Sequence, residues 1–191
     1  MPKAFGRVCA RHPEQAVEIW FQDEARFGQQ GTLTRVWAER GTRPRACRQT
    51  DYEWVYLFGS VCPATGETHG GLLPWVNGEV MEAYLDDFSR QLRCGVHALL
   101  VMDSAGWHTS GALSVPSNVT LQFLPPKSPE SNPAELPWRE MRQKYLSNRV
   151  YPTVVEALES AVSEAWLKVI ESPAAMRSLC GFDWITSIGH N

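Results

Sequence analysis

His97-Ala-Leu-Leu-Val-Met-Asp103 is an apolar run that stops on an aspartate. It lacks period-two alternation, so it reads as a central β-strand buried on both faces, as in a parallel sheet covered by helices. Upstream, Ala16-Val-Glu-Ile-Trp-Phe21 reads as a shorter, partly alternating strand that ends at Gln22-Asp23-Glu24. A turn over Phe27 to Thr34, with Gly28 and Gly31, leads to a short strand at Arg35 to Ala38. Trp54 to Cys62 is a strong strand; Pro63-Ala-Thr-Gly66 turns it back into a partner from Glu67 to Trp75, a β-hairpin. From Gly78 to Leu92, Val80, Tyr84, Leu85, Phe88 and Leu92 recur with helical spacing.

Downstream, a short helix leads to a strand at Thr120 to Leu124, closed by Pro125-Pro126. Two helices follow, one through about Asn148 and one from Thr153 to about Ile170, which Pro173 stops. Antiparallel strands come first and parallel crossovers later. The expected fold is α/β: a mixed sheet with an antiparallel hairpin, parallel strands and helices on both faces. Residues 1–16 lack periodicity and read as a tail or linker before a single domain over residues 17–191.

Of 191 residues, 43% are hydrophobic and 20% charged, a globular composition. No apolar run approaches the roughly 18 residues of a membrane span, and the amino terminus lacks the apolar block of a secretory signal. Cys9, Cys47, Cys62, Cys94 and Cys180 include no Cys-x-x-Cys pair, so a zinc site or disulfide framework is not expected. The net charge of −3 is unevenly spread. Arg35, Arg40, Arg43, Arg45 and Arg48 face only Glu39, and Arg139, Arg142, Lys144 and Arg149 face only Glu140. Asp51 to Ser89 holds seven acidic residues and no Lys or Arg. This is either a basic face for a phosphate backbone or a mosaic of solvated charge.

Asp23 and Asp103 each end a strand. If those strands are parallel neighbours, both carboxylates emerge at one carboxyl edge, where open α/β sheets place their ligands. With a glutamate from a nearby helix they could bind two magnesium ions about 4 Å apart, suited to in-line displacement at phosphorus. Each residue also has a local reading. An aspartate at a strand end serves as a turn former, and Asn132-Pro133-Ala134-Glu135 fits N-cap to N3 with a capping box. His108 could orient a carboxylate or contact DNA, or be a hydrogen-bonded loop histidine. Lys127 could meet phosphate or solvent.

The segments Phe21-Gln-Asp-Glu-Ala-Arg-Phe-Gly28, Val101-Met-Asp-Ser-Ala-Gly-Trp-His108 and Leu124-Pro-Pro-Lys-Ser-Pro-Glu-Ser-Asn-Pro-Ala-Glu135, followed by Trp138-Arg-Glu-Met-Arg142, resemble the DDE transposases of the mariner and insertion-sequence-630 class. The likeness runs from about Val17 to Trp184, with 31 residues between Asp103 and Glu135. It implies a ribonuclease-H-like fold and two Mg2+ or Mn2+ ions held by a catalytic triad of Asp23, Asp103 and Glu135. It implies nicking at transposon ends, then attack of the freed 3′-hydroxyl on target DNA. Glu24, His108 and Asn132 take supporting places, and Arg43, Arg45, Arg48, Lys127, Arg139 and Arg142 are the expected DNA contacts. The implied partners are transposon-end and target DNA, a second copy of the chain on DNA, and a separately encoded helix-turn-helix subunit, in the bacterial cytoplasm at the nucleoid. A truncated relic that only binds DNA or dimerises, or another ribonuclease-H-like nuclease, are the alternative readings. Pro137 departs from the family pattern: its missing N–H removes a bond to the Pro133 carbonyl and should delay the helix start.

Overall fold

The computed structural model describes residues 1–45, 49–103, 113–125 and 131–188. Five strands form one sheet: β1 (Ala16–Gly28), β2 (Trp54–Val61), β3 (Thr68–Leu73), β4 (Val96–Met102) and β5 (Val119–Phe123). Their spatial order is β3-β2-β1-β4-β5. β2 runs antiparallel to β1 and β3, while β4 runs parallel to β1 and β5. This is the expected mixed sheet, with the buried run at Val96–Met102 beside the first strand.

Side chains alternate across a strand, so each residue's parity assigns its face. On one face Trp20, Phe58, Ala98, Leu100 and Met102 pack under helix α2 (Gly78–Gln91) through Met81, Leu85 and Phe88. Asn77 caps α2, its side-chain oxygen accepting from the Val80 N–H at 2.8 Å. On the other face lie two clusters. Ile19, Phe21, Val61, Leu99 and Val101 meet helices α1 (Pro2–Arg11), α5 (Pro173–Cys180) and α6 (Asp183–Thr186). Ala25, Phe27, Val55 and Leu57 meet α3 (Glu135–Glu140), which continues as a π-helical turn over Met141–Leu146, and α4 (Glu159–Val169), preceded by a π-helical turn over Val154–Leu158.

Several local expectations need correction. Residues 1–16, read as a tail or linker, contain α1, with Pro2 at its first turn. Ala4 and Val8 are buried one helical turn apart, and two small apolar residues are too faint a stripe to read from sequence. β1 does not stop at Phe21 but runs to Gly28, because β2 continues to pair with it through Gly28↔Trp54. Arg35 to Ala38, read as a strand, pairs with no strand among the described residues, and Val36 and Trp37 are exposed. A short helix was expected between β4 and β5; residues 113–118 of that connection are not helical, and residues 104–112 lie outside the described residues. Among the described residues, no helix is long and apolar enough to cross a membrane.

Candidate active site

The β1–β4 register carries the site. Phe21 pairs with Val101, the last pair of that parallel ladder. Asp23 and Asp103 each lie two residues beyond that pair, Asp23 within β1 and Asp103 just after the end of β4. Parity puts Asp23 on the face that carries Ile19, Phe21, Leu99 and Val101. β1 then continues along β2 alone, leaving Asp23 without a β4 neighbour on its other side.

Asp23 is half-buried in the gap between the two clusters of its face, after Phe21 and before Ala25. Burial, then the nearby Glu135 carboxylate, push its pKa up to about 8. Two like charges near one desolvated point therefore leave the protein short of positive charge there. Arg142 is the nearest counterweight. Its half-buried guanidinium senses both Glu135 and Asp23, lies 5.0 Å from the centre of the Phe27 ring and donates weakly to the Arg26 carbonyl at 3.4 Å.

The turn before α3 is tied directly to β1. Asn132, buried, donates from Nδ2 to the Gln22 carbonyl at 2.9 Å and accepts the Ala134 N–H on Oδ1 at 3.1 Å. One side chain thus caps the turn and anchors it beside Asp23. As expected from Pro137, the carbonyl of Pro133 instead receives the Leu136 N–H at 3.1 Å, and regular helix starts at Glu135. Pro137 then sits third in α3, where an N–H has no intrahelical partner in any case.

The sequence reading assigned no role to Trp138 or Gly59. Trp138 Nε1 donates to Asp23 Oδ2 at 2.8 Å. Gly59 is the register partner of Asp23, and Gly70 is the partner of Gly59. A Cβ on Gly59 would come within 2.9 Å of Trp138 Cζ2 and closer still to Cη2; one on Gly70 would meet Trp166 at 2.8 Å. The two indoles lie over this glycine pair with centroids 5.4 Å apart. A glycine inside a strand of Val, Leu and Phe is the sequence signal for such an approach. Trp138 follows Glu135 by three residues and so shares its helical face.

Of the remaining expected residues, Glu24 is half-buried one position along β1 from Asp23, on the opposite face by parity. Arg43 and Arg45 are exposed on the segment between β1 and β2, and Arg139 is exposed on α3. Arg139 lines a groove with Thr32, Glu135, Leu136, Arg142 and Gln143. Arg48, His108 and Lys127 lie outside the described residues. Among the described residues, which include Asp23, Asp103 and Glu135, no group of three His, Cys, Asp or Glu side chains is placed to hold a metal ion. Carboxylate oxygens, the donors these three residues would offer, are of the kind that suits a hard divalent cation such as Mg2+ or Mn2+.

A 3-2-1-4-5 mixed sheet flanked by helices, with acidic side chains at the carboxyl edge of its parallel pair, is the ribonuclease-H-like class. The chain belongs to the DDE superfamily endonucleases, whose family pattern matches residues 18–158. Uncharacterized protein y4pE/y4sA of Sinorhizobium fredii (strain NBRC 101917 / NGR234) is 40% identical over 131 residues, 69% of this chain and 96% of that protein. The Mos1 transposase paired-end complex with left transposon end has a similar fold, with a TM-score of 0.62 at 13% identity over 97% of this chain and 56% of that one. The mariner Mos1 paired end complex with Mg gives a TM-score of 0.56 at 13% identity, over 98% and 61%. The chain thus spans a little over half the length of the Mos1 chains it matches.

Proposed function

We propose that this DDE endonuclease domain is the catalytic domain of a transposase, cutting DNA at transposon ends and joining the freed 3′-hydroxyls to target DNA. Asp23, Asp103 and Glu135 are the carboxylates that hold two Mg2+ or Mn2+ ions. The observation that supports the reading is the parallel β1–β4 register, whose last pair precedes both Asp23 and Asp103 by two residues, together with the charge of Glu135 felt at Asp23. Bound there, the ions would supply charge neutralisation on both sides of an in-line displacement at phosphorus. The chain's own residues do the rest. Asn132 keeps the start of α3 against β1, which presents Glu135 toward Asp23. Burial of Asp23 discourages its ionisation until a cation is present, so the site gathers its full charge only when loaded. The Mos1 relatives were solved in complexes with a transposon end, with Mn and with Mg, which supports DNA and a divalent cation here.

The groove lined by Glu135, Arg139 and Arg142 suits the scissile strand's phosphates. Arg43, Arg45, Arg48 and Lys127 are further phosphate contacts in this reading, and Glu24 and His108 are its supporting residues. Exposed Leu33, Val36 and Trp37 on the arginine-bearing segment between β1 and β2 favour a second copy of the chain on DNA. Recognition of the terminal repeats falls to a helix-turn-helix module, at the bacterial nucleoid in the cytoplasm.

The test is nicking of supercoiled plasmid with Mg2+ or Mn2+ by the parent and by Asp103→Asn. The expected result is cation-dependent nicking that disappears in the variant while its circular dichroism is unchanged. Equal traces from parent and variant would overturn the assignment.

A further inference from the structure

We propose that Trp138 is the positioning residue of this site: seated in the notch that Gly59 leaves in β2, its indole N–H holds one oxygen of Asp23 and turns the other toward the cation. The inference rests on the reading of Asp23 as a metal ligand.

The indole nitrogen is a donor only, and a buried one needs an acceptor. Trp138 is 1% exposed and its N–H goes to Asp23 Oδ2 rather than to a backbone carbonyl. The ring has little freedom to go elsewhere. Gly59 lies against its benzo edge, Trp166 lies tilted against it, and Phe27 meets it edge-on at 6.4 Å. Gly59 is also the register partner of Asp23 across the ladder, so one rung of the sheet supplies both the acid and the seat for its donor.

A neutral donor suits this place. Lysine or arginine at the same point would bind the carboxylate as a competing cation. An indole N–H occupies Oδ2 and leaves Oδ1 to a metal, the way hydrogen bonds orient ligating carboxylates generally. Packing alone does not call for the N–H. Phenylalanine or leucine would fill an apolar pocket without placing a polar atom in it. Trp138 and Glu135 also share one face of α3, so the same bond sets the strand that bears one carboxylate against the helix that bears another.

The experiment measures Mn2+ binding without DNA, by the electron paramagnetic resonance signal of free Mn2+. The proteins are the full chain, Asp103→Asn, Gly59→Ala and Trp138→3-benzothienylalanine, an isostere with sulfur in place of the N–H. Because the isostere keeps the shape of the ring, its melting temperature in chelator should stay near the parent's. Its Mn2+ affinity should fall by about 10- to 100-fold, the usual effect of losing a partner to a metal ligand. Gly59→Ala keeps every hydrogen-bonding group and displaces the ring, and should weaken Mn2+ binding in the same direction. Parent-like binding by the isostere, alongside loss of binding in Asp103→Asn, would make Trp138 a packing residue and overturn this inference while leaving the metal assignment intact. A parent that binds no Mn2+, or binds it equally well as Asp103→Asn, would overturn both.

Discussion

Under α2 the sheet offers Trp20, Phe58, Ala98, Leu100 and Met102 to one uninterrupted cluster, whereas the opposite face is split in two, with Asp23 in the gap. Both faces arise from the same period-two alternation of the same strands. They differ in what that alternation delivers at position 23: a carboxylate where the core would otherwise continue from Phe21 to Ala25. On the α2 face Ser60 and Tyr84 pair at 2.7 Å, while Gln22, fully buried and of the same parity as Trp20, has no hydrogen-bond partner for its side-chain amide among the described residues. The divided face accepts a desolvated acid and surrounds it with the Trp138 N–H, a backbone hydrogen bond at Glu24, two glycines and two tilted indoles. This sheet thus packs one face under a single helix and holds a desolvated acid at a fixed point on the other.

That contrast can be broken by experiment. The largest effect should come from the cohesive face. Phe88, fully buried and edge-on to Trp20 at 5.1 Å, should lose about 3–5 kcal/mol of stability in Phe88→Ala, read from urea unfolding. A loss below about 1 kcal/mol would show that the α2 face is not the cohesive one.

The divided face should respond in the opposite sense. Unfolded Asp23 ionises near 3.8 and folded Asp23 near 8, so between those values the native state holds the extra proton and stability falls as pH rises. Asp23→Asn removes that loss and can still accept from Trp138. In chelator the variant should exceed the parent at pH 8, with the gain vanishing toward pH 4. Excess Mn2+ should reverse the order at pH 8 by stabilising the parent. A parent whose thermal midpoint stays level from pH 4 to pH 8 relative to Asp23→Asn would refute the buried-acid account.

The smallest effect is expected outside both faces. Arg139→Ala should change stability by no more than about 0.5 kcal/mol, yet lower the salt slope of DNA binding by about one unit. An unchanged slope would return Arg139 to ordinary surface charge.

Much of the fold was legible because it depends on short-range periodicity. The β2–β3 hairpin, the α2 stripe and the buried run of β4 each declare themselves within a dozen residues. β1 was harder. Its second half, Gln22 to Gly28, carries Asp23, Glu24 and Arg26, and charge there hides the alternation that Phe21, Ala25 and Phe27 maintain. α1 was missed because its buried residues, Ala4 and Val8, are small and few. The segment at Arg35 was read as a strand from composition, but among the described residues no strand pairs with it. In the site, Asp103 does follow the end of its strand, whereas Asp23, expected at a strand end, lies within β1, and Ala134 rather than Asn132 stands at the helix N-cap. Trp138 was quoted as part of a helix without its partner, since nothing local says which of many acceptors 115 residues away its N–H will meet.

By itself the sequence determined which residues alternate and which form helical stripes, because those properties are set by neighbours along the chain. Only the tertiary structure decided that β1 and β4 lie parallel with Phe21 beside Val101, that the glycine across from Asp23 admits an indole, and that the charge of Glu135 reaches Asp23. Those outcomes depend on register and close approach between distant segments, where a shift of one residue would turn each side chain to the other face.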